Sequence, residues 1–309
     1  MSTFFAVRNP DLESPMTLRE ALLLGDKLEV YQGPSEDSEN FEEEYSKLLG
    51  SPIPPEDSAV LLGIKGLAVR GFYFAYQDGI YIASINTPST IGDWESILSF
   101  VMALARKFNT TIGIGDGKTF EGSFTPEMLP GMIDWKGDIR EGVEAVNQYL
   151  SAETPTVALL GIKRTMFINR EMFNGVMAAS DPILAFSQLC TRLQYPQAYI
   201  PEQILTQDNG EIFGYYVLNE GLPTLLPHGK PTLDYKYQAA LGDEKVRWHL
   251  IFMTDKVDAE GRNVYLQYPY ETFLAGMPPD VWTALDAECS IVRAVSLEEM
   301  KEFFKEIEP

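Results

Sequence analysis

One stretch, Leu61 to Gly115, constrains the fold most, because it holds a strand, a hairpin, a helix and a return strand in unbroken order. Leu67 to Tyr76 and Ile80 to Ile85 are rich in aromatic and β-branched residues, as strands require. Between them Asp78-Gly79 supplies the positive φ angles of a tight primed turn. Pro88 stops the second strand, and Thr90 with Asp93 three residues on forms a near relative of the capping box, so a helix is expected to start there. Trp94, Ile97, Leu98, Val101, Ala105 and Phe108 form one apolar stripe to be laid on a sheet, with Asp93, Ser96 and Lys107 expected to face away. Asn109 ends the helix, and Thr111 to Ile114 reads as the return strand.

The rest of the chain yields similar elements. Thr3 to Arg8 and Leu28 to Gln32 read as strands, and Thr17 with Glu20 as a capping box for a short helix. Glu36 to Glu44 holds six acids, and the spacing of Phe41, Tyr45, Leu48 and Leu49 predicts an exposed acidic helix. Asp138 with Glu141 is expected to start a helix whose buried side is Ile139, Val143, Val146 and Leu150. Ser151 to Pro155 has the composition of a connector, which divides the chain into an N-terminal domain, residues 1–152, and a C-terminal domain, residues 153–309. Each domain is expected to be α+β, a mostly antiparallel sheet with helices on one face.

The second half echoes the first. Leu159-Leu160-Gly161-Ile162-Lys163 repeats Leu61-Leu62-Gly63-Ile64-Lys65, and Asn174-Gly175 follows about where Asp78-Gly79 does. Ser180, Asp181 and Pro182 then start a helix with Ile183, Phe186, Cys190 and Leu193 on one face. A diverged duplication and a chance match both remain open, as do a hairpin and a short helix around Asn174-Gly175. Ile204 to Thr206, Ile212 to Leu218, Val246 to Met253 and Val264 to Tyr268 read as antiparallel strands, and Ser296 with Glu299 caps a last helix with Leu297, Met300, Phe304 and Ile307 on one side.

The run INTPST followed by DWESILSFVMALA resembles a bacterial family of proteins of similar length, the domain of unknown function numbered forty-two ninety-nine. The likeness continues through Thr119 to Leu129, Asn219 to Pro227 and Tyr268 to Phe273. These are turn, cap and core residues, so the resemblance implies a shared fold and carries over no catalytic residue.

Composition narrows the function. With 45% hydrophobic residues the chain supports real cores. The start shows no signal-peptide pattern and no apolar run approaches a membrane span, so a soluble, cytoplasmic protein is expected. Two cysteines, Cys190 and Cys289, read as small buried hydrophobes in a reducing compartment. A formal net charge of −21 repels nucleic acid and anionic membrane, favours solubility, and leaves basic proteins or cations as partners.

Reactive constellations are sparse. The run Gly113-Ile114-Gly115-Asp116-Gly117-Lys118-Thr119 resembles a phosphate loop, but Gly113 leaves three residues before Gly117-Lys118 where four are needed, and no helix follows. Only two histidines exist, His228 in a Pro-His-Gly turn and His249 on a strand, and no zinc spacing is present. Cys289 as nucleophile with His249 as base is the one nameable catalytic pair, and Cys289 lacks a nucleophile context. No metal site or cofactor is indicated. Tyr199, Tyr215, Tyr216, Tyr235, Tyr237, Tyr265, Tyr268 and Tyr270 make the second half tyrosine-rich, and a cluster of them on one exposed face would suit protein contact. Two readings result: an acidic, non-enzymatic interaction or regulatory protein, or a hydrolase using carboxylate or Cys/His chemistry in an inter-domain groove.

Overall fold

The computed structural model describes residues 2–10, 15–31, 33, 40–117, 119–151, 153–234, 237–238, 241, 245–257 and 259–305. The fold is α+β with mostly antiparallel sheets, and it divides into two compact units, Met1–Tyr195 and Pro196–Pro309. The connector expected at 151–155 therefore lies inside the first unit. The reason is local. The Arg170 guanidinium donates to the Asn147 side chain and carbonyl at 2.8 Å each and to the Leu150 carbonyl, capping the end of the helix Trp135–Tyr149. The Ile162 N–H donates to the Val69 carbonyl at 2.8 Å, and the Tyr195 hydroxyl to that of Ala68 at 2.6 Å. The chain after the connector is thus bonded back onto the elements before it.

The first unit is built on a seven-stranded antiparallel sheet of β1 (Ser2–Arg8), β2 (Leu28–Val30), β3 (Val60–Ile64), β4 (Phe72–Gln77), β5 (Ile80–Asn86), β6 (Ile112–Gly115) and β7 (Phe120–Phe124), in the order β2-β3-β4-β5-β1-β6-β7. The β4–β5 turn is as expected, with Asp78 at φ 52° and Gly79 at φ 80°. Gly113 and Gly115 of the glycine-rich run lie in β6 and Thr119 directly precedes β7, a strand where a phosphate loop needs a helix; Lys118 lies outside the described residues.

Helices α1 (Leu18–Leu22), α2 (Phe41–Gly50), α3 (Ile91–Phe108), α4 (Leu129–Met132) and α5 (Trp135–Tyr149) complete the part before the connector. The acidic run before Asn40 lies outside the described residues; α2 itself carries Glu42, Glu43 and Glu44 in its first turn. α3 has the expected capping box and an αL end at Asn109. Its expected stripe is too narrow. Phe100 and Leu104 are buried as well, Phe100 lying 4.8 Å from Phe74 and 5.1 Å from Phe72, while Asp93 and Ser96, expected outside, are completely buried. α3 lies on the sheet and is backed by α5 and by α7 (Pro182–Gln194), so its polar face shrinks to a narrow strip of Glu95, Ser99, Arg106 and Lys107, of which Lys107 was expected to face out. α5 starts at Trp135 on the Asp134 cap, not at Asp138.

Strands β8 (Thr156–Leu160) and β9 (Thr165–Asn169) form a separate hairpin, followed by helix α6 (Arg170–Met177). Asn174-Gly175 is therefore helical, and the equivalence with the Asp78-Gly79 hairpin is lost there. The apolar spacing of Phe173 and Val176, both buried, decides for the helix.

The second unit contains a four-stranded sheet, β10 (Ile204–Asp208), β11 (Glu211–Asn219), β13 (Val246–Val257) and β14 (Asn263–Pro269), in the order β10-β11-β13-β14, and a three-stranded sheet of β12 (Thr224–Pro227), β16 (Cys289–Val292) and β15 (Trp282–Ala284). The hairpins β10–β11 and β13–β14 are antiparallel as expected, but β11 and β13 run parallel. Residues 220–245 lie between them in sequence, a connection of the length that parallel strands need. Leu218, Trp248, Leu250 and Phe252 point into a core with Tyr270 and Phe273 of the helix Tyr270–Gly276 and with Met300 and Phe304 of the helix Leu297–Phe304. Ser296 caps that last helix with Glu299 as expected, and Ile307 lies outside the described residues.

Candidate functional site

The pair nominated by the sequence is split between two sheets. His249 lies on β13 of the four-stranded sheet, with its ring 5.7 Å from Tyr215 and 6.0 Å from Phe213, and its Nδ1 3.4 Å from Gln267 Nε2. Cys289 opens β16 and is opposite Pro227 on β12. The histidine beside that strand is His228, whose Nδ1 lies 3.0 Å from the Oγ of the buried Ser290. The Asp286 carboxylate is occupied by the N–H groups of Glu288 and Cys289 at 3.0 and 2.8 Å, which closes the turn into β16. Cys190 is buried in the first unit, where desolvation pushes its thiol far up and the neighbouring Asp93 adds to the rise against Arg70. Such a thiol is no nucleophile. Among the described residues no group of His, Cys, Asp and Glu is arranged to hold a metal ion.

The INTPST and DW residues form a polar knot. The Asp93 carboxylate accepts through Oδ1 from the N–H groups of Val69, Arg70 and Gly71 at 2.8 to 2.9 Å, and through Oδ2 from the Thr90 N–H and hydroxyl at 3.0 and 2.8 Å. One side chain thus caps its own helix and fills a nest of three consecutive donors in the β3–β4 loop. Asp138 of α5 accepts from the Thr87 hydroxyl at 2.9 Å and from the Trp94 indole N–H at 3.2 Å. Arg70 donates to the carbonyls of Leu160 and Pro88, tying in the β8–β9 hairpin; its burial pushes the guanidinium down, opposed by Asp93. Gly92 is required by close approach, since a Cβ there would stand 2.2 Å from the Leu67 carbonyl oxygen. Buried side-chain polar atoms all have hydrogen-bond partners among the described residues. The knot is saturated by the protein itself, and its chemistry is cohesion.

An apolar hollow of about 310 Å³ lies between α1, the end of α2 and β3, lined by Leu18, Leu48, Pro52, Pro54, Ala59 and Val60 with Ser51 and Ser58. It offers two hydroxyls and no charge, too few converging polar groups to orient a substrate.

The outer face of the four-stranded sheet differs from both. On β11 and β13 burial alternates strictly: Ile212, Gly214, Tyr216 and Leu218, and Trp248, Leu250 and Phe252, are buried, while their neighbours are partly or wholly exposed. Register then places the outward residues in rows: Thr206, Phe213 and Arg247; Ile204, Tyr215, His249 and Pro269; Val217, Ile251 and Gln267; Asn219, Met253 and Tyr265. Ile204 is 46% and Tyr265 55% exposed, so this aromatic and aliphatic surface meets water. Of the tyrosines singled out in the sequence, Tyr215 and Tyr265 lie on this face; Tyr216 and Tyr270 are in the core, where burial pushes the Tyr270 phenol well up. Partial burial, with Arg247 adding, holds the His249 imidazole below its ordinary range, so it is neutral at physiological pH. The alternating pattern was legible in the sequence; which parity faced water was not, because that depends on where the two covering helices dock.

No curated protein and no solved structure matches the chain. The model of the family described as Domain of unknown function (DUF4299) matches residues 2–303, and the chain belongs to that family.

Proposed function

We propose that this protein is a non-enzymatic interaction or regulatory protein that engages a protein partner through the outer face of the β10-β11-β13-β14 sheet. The observation that supports it best is the asymmetry of that sheet. One face is covered by two helices, while the other presents Phe213, Tyr215, His249, Ile251 and Tyr265 in register. A surface that is aromatic at its centre and has one histidine and one ion-paired arginine suits a protein contact better than catalysis. Two cysteines, one buried and one half-buried, agree with a reducing, cytoplasmic setting.

Capture from source-cell lysate tests the reading. Wild type and Tyr215→Ala are expected to differ in the protein they retain while melting within a few degrees of each other. Equal retention by both, and by Tyr265→Ser, counts against this face as the contact surface.

A further inference from the structure

We infer that the outer face of the four-stranded sheet receives a segment of a partner protein whose centre is apolar and whose two ends are basic. The inference rests on the reading of that face as the binding surface and adds the chemistry of what lies on it. The charges on its strands are at the ends. Asp208 and Glu211 flank the β10–β11 turn at one end, and Asp255 is exposed toward the far end of β13, next to Lys256, whose charge is paired with Glu298 at 3.2 Å. Arg247 is already paired with Glu211 at 2.6 Å. Between them run uncharged side chains: Tyr215, Val217, His249 in its neutral form, Ile251 and Met253.

From Arg247 to Asp255 the strand covers about 26 Å, at roughly 3.3 Å per residue, which a helix of about 17 residues or a shorter extended segment would span. An occupant whose charges meet this surface therefore has carboxylate partners at both ends and apolar contact between. The formal charge of −21 acts in the same sense at long range, speeding the encounter of a cationic segment and opposing an anionic one. An apolar segment with acidic ends would bring like charges together at both ends of the sheet, at a cost.

Two synthetic peptides with the same apolar centre, one ending in lysines and one in glutamates, test this against the full chain by titration calorimetry. The lysine-ended peptide is expected to bind at least about tenfold more tightly. Its affinity should fall about tenfold between 0.05 and 0.3 M NaCl as exposed charges are screened. Tyr265→Ser and Ile251→Asp should each weaken it, and Asp208→Asn combined with Asp255→Asn should flatten the salt dependence without disturbing the apolar centre. Equal affinities for the two peptides, or no binding of the lysine-ended one, overturn the inference. If those results come with lysate capture that Ile251→Asp abolishes, the face stands and only the partner's chemistry is refuted; if Ile251→Asp and Tyr265→Ser change neither peptide binding nor capture, the face itself is refuted.

Discussion

The knot around Thr87 to Trp94 and the outer face of the four-stranded sheet are both unusual surfaces, and they are opposites. In the knot, polar groups are buried and wholly used: Asp93 accepts five hydrogen bonds, Asp138 holds Thr87 and Trp94, and Arg70 reaches two carbonyls from different elements. On the outer face, apolar groups meet water and are little used: Ile204 and Tyr265 stay about half exposed, and Tyr215 and Ile251 are only partly buried. The comparison teaches that the most motif-like residues of the chain support its structure, whereas the face proposed for binding is made of residues with no motif at all. The first region should govern stability and the second binding.

Substitutions in the knot should have the largest effect. Asp93→Ala strands three consecutive loop N–H groups and the helix cap in a buried site, and is expected to destabilise the fold by about 3 to 5 kcal/mol, the usual cost of removing one partner from a buried charged network. Trp94→Ala leaves a cavity between α3 and Phe5 and releases Asp138, and should cost a similar amount, about 3 to 5 kcal/mol. Urea unfolding followed by circular dichroism measures both, and a midpoint equal to that of wild type for either would remove the knot from the stability side of the comparison. Gly92→Ala comes next. Its methyl would be forced against the Leu67 carbonyl, and a loss of about 1 to 3 kcal/mol is expected.

The outer face should behave in the reverse sense. Tyr265→Ser, on an edge strand and about half exposed, should shift stability by only about 0.5 kcal/mol while weakening partner capture. A large stability loss here would mean that the face is packed, not open. The smallest effect concerns His249. Its folded pKa is lowered, so the unfolded chain takes up the proton first. Its contribution to stability is complete above the unfolded value of about 6.5, declines as the pH falls from there to the lowered folded pKa, and is constant below it. His249→Gln should remove this slope from a plot of urea midpoint against pH.

Much of the fold was readable in the chain and the proposed binding face was not, for physical reasons that differ. Capping boxes at Thr17, Thr90 and Ser296 and the Asp78-Gly79 turn are local chemistry, decided by residues three or fewer apart, and each formed as read. The burial of Asp93 and Ser96 depends on the β3–β4 loop, whose N–H groups close on Asp93, and on α7 arriving from distant sequence, so a helical wheel assigns them to water. Asn174-Gly175 is a turn pair by composition, but Phe173 and Val176 needed a core, and the helix won. The compact division after Tyr195 depends on long-range bonds from Arg170, Ile162 and Tyr195 that no local pattern announces. Cys289 and His249 share a half of the chain but not a sheet, which only topology determines.

Oxidative footprinting of the full chain, free and with its captured partner, tests the central claim most directly. Tyr215, Met253 and Tyr265 should lose reactivity in the complex, while Tyr149, 68% exposed on α5 in the other unit, should keep it. Unchanged reactivity at Tyr215, Met253 and Tyr265 with protection at Tyr149 would place the partner elsewhere and contradict the assignment of binding to this sheet.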